Sequence, residues 1–207
     1  MSLWGRIFAA GYDTMMASVE RDFMGGVRKD VLANAEGRVI EIGSGTGANL
    51  QHYPRTIEEL VCTEPEEPMA KRLEPRAAAS DLNVRVVHAP AEALPFEDDS
   101  FDTAVATLVL CTVHDQDRAL AELRRVLRPG GRLLFVEHVR SDDPGRARWQ
   151  DRLHPLWVRF GNGCHCNRPT LANIEASRFD VLEHRHGEIP KSPPIVRPLV
   201  TGVARAP

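Results

Sequence analysis

The chain has 207 residues, 43% of them hydrophobic and 27% charged, with a net charge of -3, which is the profile of a folded globular protein and not of a disordered one. The slight acidity supplies no basic face for nucleic acid, and no run of about 18 apolar residues is present to cross a bilayer. Four unevenly spaced cysteines exclude a secreted disulfide framework. The opening stretch, residues 1–10, is too short and interrupted for a signal peptide, so a cytoplasmic protein with no nucleic-acid partner and no transmembrane segment is expected.

In chain order, Tyr12 to Ala35 is patterned as a helix with Gly25-Gly26 as an internal break, and residues 1–36 form a helical cap. Strands are expected at Arg38 to Ile42, Leu60 to Thr63, Val84 to His88, Thr103 to Leu110 and Arg132 to His138. Between them, Ala48 to Tyr53, Glu67 to Ala79 and Asp117 to Leu127 carry helical patterns; in the last, Leu120, Leu123, Val126 and Leu127 share one face. Arg128-Pro-Gly-Gly131 stops that helix and turns the chain into the next strand. Alternation of this kind makes βαβ units and a mostly parallel sheet.

Beyond the fifth strand, Ser141 to Gly145 is a loop and Arg146 to Phe160 a helix interrupted at Pro155. Phe179 to Glu183 and Leu199 to Ala204 supply two final strands, joined by a proline-rich connection from Ile189 to Pro198. The whole is expected to be one domain over 1–207, with residues 37–140 as a ligand-binding core and 141–207 as substrate-side loops and terminal strands.

Val39-Ile-Glu-Ile-Gly-Ser-Gly-Thr-Gly-Ala-Asn-Leu50 runs a strand into a glycine turn that opens toward a helix. Such a turn aims backbone N–H groups at the carboxyl edge of the sheet, where ligands of α/β folds collect. Gly43, Gly45 and Gly47 are spaced G-x-G-x-G with no lysine after them. That is neither the G-x-G-x-x-G of a dinucleotide loop nor a P-loop, which disfavours a dehydrogenase.

Glu41 followed by the three glycines resembles motif I of the class I S-adenosylmethionine-dependent methyltransferases. Ala89-Pro-Ala-Glu-Ala-Leu-Pro-Phe-Glu-Asp-Asp-Ser-Phe-Asp102 is similar to the third motif of that family, and Leu127-Arg-Pro-Gly-Gly-Arg132 to its turn before the fifth strand. The resemblance implies a Rossmann-like three-layer sandwich with a seven-stranded, mostly parallel sheet and an antiparallel last strand. It also implies S-adenosyl-L-methionine as cofactor. By the same resemblance, Gly43, Ser44, Gly45, Gly47 and Asn49 border the amino acid part of the cofactor. Glu41 holds its amino group through water or orients the loop. Glu64, 17 residues after Gly47, takes the ribose hydroxyls; Pro65 and Met69 lie toward the adenine. Pro90 stands where the family often has an acid for the adenine amino group, so Ala91 and Glu92 are left to make that contact. Thr107 and Leu108 flank the cofactor at the exit of the fourth strand.

For the acceptor side the same family pattern points to the loops past the fourth and fifth strands. Cys111 and His114 lie there as candidate catalytic groups, with Thr112 beside them and His138, after Glu137, ending the fifth strand. Tyr12 stands where related enzymes place a tyrosine lid. Cys164-His165-Cys166 offers soft ligands, but a structural zinc site pairs two C-x-x-C-like hooks, so no metal is expected and the segment is placed at the substrate entrance with Asn162 and Arg168.

A narrower resemblance rests on Thr107-Leu-Val-Leu-Cys111, Arg125-Val-Leu-Arg-Pro-Gly-Gly131, Val136-Glu-His-Val139, Gly163-Cys-His-Cys-Asn-Arg-Pro-Thr-Leu171 and Val196-Arg-Pro-Leu-Val-Thr-Gly202. Together these are similar to the microsomal alkyl thiol methyltransferases. That similarity implies a small apolar acceptor, with a thiol favoured over a quinone, phenol, phospholipid amine or arsenite that related enzymes methylate. Those proteins carry an N-terminal apolar membrane segment that this sequence lacks, so membrane attachment is not implied. The competing expectation is a non-catalytic domain that binds S-adenosylmethionine or S-adenosylhomocysteine. The sequence says nothing of oligomeric state.

Overall fold

From Val39 onward, strand β1 (Arg38–Ile42) is enclosed on both faces, which is why it is a nearly continuous apolar run and not an alternating one. In this computed structural model, which describes residues 11–207 apart from Tyr12 and Met15, β1 lies inside a sheet, next to its central strand. It pairs in parallel with β2 (Glu59–Thr63) and with β4 (Phe101–Thr107). β3 (Val84–Val87) adds outside β2, and β5 (Leu127–His138) outside β4, both again parallel. β7 (Pro198–Arg205) runs antiparallel between β5 and β6 (Asp180–Glu188), completing the order β3-β2-β1-β4-β5-β7-β6. The expected seven-stranded, mostly parallel sheet with an antiparallel last strand is present; that last strand inserts inside the edge instead of forming it.

Alternation along the strands sorts the helices into two layers. Ile40 and Ile42, with Ala104, Ala106, Leu133 and Phe135, face α3 (Gln116–Val126) and α5 (Thr170–Ala176) through Leu120, Leu123 and Ile174. Val39, Leu60, Cys62, Val105 and Leu134 face the other way, onto Leu32 of α1 (Gly25–Leu32) and Leu73 of α2 (Glu67–Ala78). The described residues ahead of α1 are helical too, passing through one π-helical turn at Glu20–Met24 before Gly25-Gly26. The amphipathic face of α3 begins behind an N-cap, Asp115, whose side chain accepts from the Arg118 N–H at 3.0 Å.

Several segments differ from the sequence reading: Gly25-Gly26 begins a regular helix instead of breaking one, β4 ends at Thr107 and not Leu110, and β5 begins at Leu127, so Arg128-Pro-Gly-Gly131 lies within it. Ala48 to Tyr53 is a series of turns with one 3-10 stretch at Leu50–His52. The Gly47 N–H donates to Ser44 O and the Leu50 N–H to Gly47 O, a tight pattern, and Pro54 holds Tyr53 extended at ψ 142. α4 (Pro144–Phe160) continues through Pro155. The N–H lost there is offset by anchors on both sides: Gln150 donates to the Val139, Cys166 and Ile195 carbonyls at 3.0, 2.7 and 3.0 Å, while Leu153 and Trp157 pack inward. The seven-residue α5 was not anticipated.

β1 and β4 are neighbours from which the chain winds outward in opposite directions. Their carboxyl ends form the crevice at which such sheets bind ligands.

Candidate active site

The glycine loop leaves β1 at this crevice. Gly43 (φ 58) lies so close to the β4 exit that a Cβ there would fall 2.3 Å from Val109 Cγ2, whereas a Cβ on Gly45 (φ 57) would meet no atom within 4 Å. Gly43 therefore allows packing, and Gly45 keeps open space above the loop. The loop is pinned from beneath by Ser44, whose N–H donates to Thr63 O at 3.0 Å.

Glu64 follows β2 directly and is buried. Its two oxygens accept the Gly45 N–H at 2.8 Å and the Glu66 N–H at 2.9 Å. Burial raises its carboxyl above the ordinary range, and the two N–H groups pull it back down. Each oxygen, having accepted one N–H, retains a lone pair for a further donor. Met69 is buried on α2 and Pro65 exposed.

Glu41, also buried, accepts the Tyr53 hydroxyl at 2.5 Å. Asn49 is enclosed between Arg28, which donates to its Oδ1 at 2.7 Å, and Thr107, whose Oγ1 accepts from its Nδ2 at 3.1 Å. Arg28 also donates to both Glu20 oxygens, at 2.9 and 2.7 Å. The N-terminal helical segment is thereby tied to the glycine loop and to β4. A second tie is Asp13, which accepts from Thr46 Oγ1 at 2.6 Å and from Arg76 at 2.5 Å. Tyr12, its neighbour, lies outside the described residues.

At the exit of β4, Leu108 adopts φ 54, a left-handed conformation unusual for a branched side chain. It marks strain next to the crevice. The next three N–H groups, of Val109, Leu110 and Cys111, converge on the carboxylate of Glu137 at 3.0, 2.9 and 3.1 Å. Glu137 is fully enclosed at 0% exposure. Burial raises its carboxyl, and the same three donors lower it again. Sequence reasoning gave Glu137 no role, although one acid in an apolar strand is itself the signal of a buried, satisfied charge.

Ala91 is buried, and the half-buried Glu92 accepts the His114 N–H at 2.8 Å and the Asp115 N–H at 3.2 Å, so it joins the third-motif loop to the β4 exit. The His114 residue is exposed. Cys111 is enclosed, with its sulfur 3.8 Å from that of Cys164 and 3.9 Å from His138 Nδ1. Contact with Cys164 and burial push the Cys111 thiol well above its usual range. Around these sulfurs Cys166, Ile195, Val196, Leu153 and Trp157 make an apolar wall. His165, in the segment between the two cysteines, meets His154 at 2.8 Å.

A strand-turn crevice with an acid-pinned glycine loop is what a nucleoside-binding α/β enzyme presents, and comparison with known proteins narrows the class. Residues 40–135 match the family model described as a methyltransferase domain. Over 202 residues, 95% of this chain and 82% of the relative, the sequence is 33% identical to human thiol S-methyltransferase TMT1A. It is 35% identical to human thiol S-methyltransferase TMT1B over 173 residues, 81% of this chain and 70% of that one. A solved S-adenosylmethionine-dependent methyltransferase from Thermotoga maritima shares the fold, with a TM-score of 0.72 at 24% identity and all of both chains covered.

The chain belongs to the S-adenosylmethionine-dependent methyltransferases, Rossmann-like enzymes whose cofactor is S-adenosyl-L-methionine. Among the described residues no helix is long and apolar enough to cross a membrane.

Proposed function

We propose that this enzyme methylates the sulfur of a small, apolar thiol. The observation that carries the reading is the reach of the likeness to thiol S-methyltransferases: it extends over 95% of the chain, past residues 40–135 of the methyltransferase domain, into the segments that wall the β4 and β5 exits. Those segments pack Cys111, Cys164, Cys166, Ile195 and Val196 into an apolar cluster beside the β4 exit, surroundings that suit an apolar acceptor.

The residues present fit the cofactor. The open space above Gly45 admits its amino acid part against bare backbone, with Ser44, Gly47 and Asn49 bordering it. Glu64 has lone pairs left for two ribose hydroxyls, because each oxygen accepts one backbone N–H. Glu41 orients the loop through Tyr53 and biases the local field toward a bound ammonium. Met69 and Ala91 offer apolar surface to the base, and Thr107 and Leu108, at the β4 exit, lie between cofactor and acceptor in this reading. The N-terminal segment, tied down by Asp13 and Arg28, caps the site.

When bound, the cofactor supplies an already activated sulfonium methyl, so the protein's task is to hold the acceptor in line. The acceptor S–H bond breaks, its proton passes to solvent, and the sulfur electron pair forms the new S–CH3 bond as S-adenosylhomocysteine leaves. A thiol, with an ordinary pKa near about 8.5, requires only modest help in this step.

The test is a panel of alkyl and aryl thiols, phenols, quinones, phospholipid amines and arsenite, read by S-adenosylhomocysteine release and by mass of the product. The expected product is a thioether from the apolar thiols. Turnover of a phenol, quinone, amine or arsenite with none of the thiols sinks the thiol assignment.

A further inference from the structure

Cys111 and Cys164, 53 positions apart in the chain, meet at one imidazole. Cys111 Sγ lies 3.8 Å from Cys164 Sγ and 3.9 Å from His138 Nδ1, and Cys164 Sγ lies 3.6 Å from the same nitrogen. All three atoms fall within 4.8 Å of one another. Zinc–sulfur bonds of about 2.3 Å and a zinc–nitrogen bond of about 2.0–2.1 Å, at tetrahedral angles, put sulfur–sulfur edges at about 3.8 Å and sulfur–nitrogen edges at about 3.6 Å. The triangle in the protein has the dimensions of one face of that tetrahedron.

We propose that Cys111, Cys164 and His138 bind one zinc ion through their Sγ, Sγ and Nδ1 atoms, with the fourth tetrahedral position open to the sulfur of the acceptor. The second half of this rests on the thiol reading above; the first half stands on the geometry alone.

Preorganisation supports the site, because each ligand arrives on a separately anchored segment. The Cys111 N–H donates to Glu137 at 3.1 Å, and Cys111 O accepts the His165 N–H at 2.7 Å. The Cys164 N–H donates to Gly161 O at 3.1 Å, and His138 is held in β5 by pairing with Leu199. Cys111 and Cys164 are buried and His138 is half-buried, so the triangle is shielded on two corners and reachable at the third. Cys166 packs in the same apolar cluster but its sulfur is not part of the triangle. Three protein ligands with a free position define the catalytic type of zinc site, whereas structural sites are closed by a fourth.

Charge balance also holds. On binding, the two thiols each release a proton to solvent and the imidazole coordinates in its neutral form, leaving a neutral complex suited to a dry pocket. The half-buried Arg168 guanidinium, which donates to Leu110 O at 2.7 Å, lies within electrostatic reach of both sulfurs. An acceptor thiol entering the fourth position would lose its proton to solvent and keep one sulfur electron pair for the methyl group. A coordinated thiol is deprotonated outright, and this sulfur would sit at the β4 and β5 exits.

The test uses the reduced, full chain stripped with a chelator and then titrated with zinc and, separately, cobalt. Expected are one retained equivalent of zinc by elemental analysis, and a cobalt form with sulfur-to-metal charge-transfer absorption and the strong visible bands of tetrahedral coordination. Cys111→Ser, Cys164→Ser and His138→Gln should each weaken zinc binding by more than about 100-fold, and Cys166→Ala should leave it unchanged. Circular dichroism establishes that each variant is folded, and the wild-type cobalt spectrum depends on no variant. Benzenethiol should shift the cobalt bands.

A wild-type chain that retains no zinc and gives only weak, octahedral cobalt spectra overturns the site. Cobalt bands indifferent to benzenethiol overturn the open position. S-methylation measured on the same samples separates this inference from the thiol reading: full turnover by metal-free protein overturns the role of the metal and keeps the thiol, and an intact cobalt site without thiol turnover does the reverse.

Discussion

Tyr53 donates its phenolic proton to Glu41 across 2.5 Å, with both residues enclosed. Burial pushes the Glu41 carboxyl up to about 7, against the pull of the Tyr53 hydrogen bond and the Arg28 charge. Burial and the Glu41 charge push the Tyr53 phenol well above its own ordinary range. Glu41, at the foot of the glycine loop, is thus poised to gain or lose a proton near neutrality while Tyr53 keeps its own.

The sign of the resulting pH dependence follows from linkage. The unfolded chain ionises Glu41 near 4.5, and the folded chain holds the proton until about 7. Between those values the folded state binds more protons, so the contribution of Glu41 to stability is fullest below 4.5 and falls as pH rises, by roughly 3 kcal/mol once past 7. Glu41→Gln should flatten that slope. Urea midpoints of both proteins across the window provide the check, and parallel curves would count against a buried, raised Glu41.

The two glycines nearest the crevice should respond differently to a methyl group. At Gly43 the left-handed φ of 58 and the 2.3 Å approach to Val109 combine strain with overpacking, so Gly43→Ala should cost about 2–5 kcal/mol of stability. Gly45→Ala meets open space and should cost only about 1–2 kcal/mol. Its effect should appear instead in cofactor affinity, as a loss of about tenfold or more. Melting curves and calorimetry on the two variants decide it; equal affinity losses at equal stability would mean that Gly45 does not border the cofactor.

Glu64 holds the loop and, in the reading above, the ribose. Glu64→Ala removes a charged acceptor worth about 1.5–3 kcal/mol, which converts to a roughly 10- to 150-fold weaker grip on S-adenosylhomocysteine. The loss should be smaller for adenosine analogues lacking both ribose hydroxyls. A variant that binds the full ligand and the dideoxy analogue with unchanged ratios would remove Glu64 from ribose recognition.

How much of this was legible in the sequence depends on separation along the chain. β1 matched to the residue, and the glycine turn and Glu64 fell where strand ends were expected, because apolar runs and turn residues are local signals. The Ala48 to Tyr53 stretch looked helical by composition but is governed by left-handed glycines before it and Pro54 after it. α5 is only seven residues long, too short for a period to declare itself. The partners that organise the acceptor side are far apart: Glu137 serves N–H groups 26 to 28 positions earlier, and the Cys111 sulfur meets Cys164 53 positions later. No local pattern encodes such pairings: the register of β4 against β5 brings Glu137 to the β4 exit, and the His165 N–H bond to Cys111 O holds the Cys164 segment against it.

Glu137 tests that organisation most directly. Its Oε1 accepts from Val109 and Leu110 and its Oε2 from Cys111, and the residue has 0% exposure. Glu137→Ala would strand three N–H groups and leave a cavity, with an expected loss of about 3–5 kcal/mol. Glu137→Gln keeps the volume but points an amide donor at one or more of those N–H groups, costing about 1–3 kcal/mol. The Gln variant is the informative one, because it should fold and still bind S-adenosylhomocysteine within a few-fold of wild type. The turn carrying Leu108 and Cys111 would relax, however, and a displacement on the order of 1 Å at a reacting centre costs about 100-fold in rate. Turnover of a thiol acceptor should therefore fall by about that factor while cofactor affinity holds. If Glu137→Gln keeps the wild-type kcat, the carboxylate only stabilises the fold and takes no part in positioning the acceptor side.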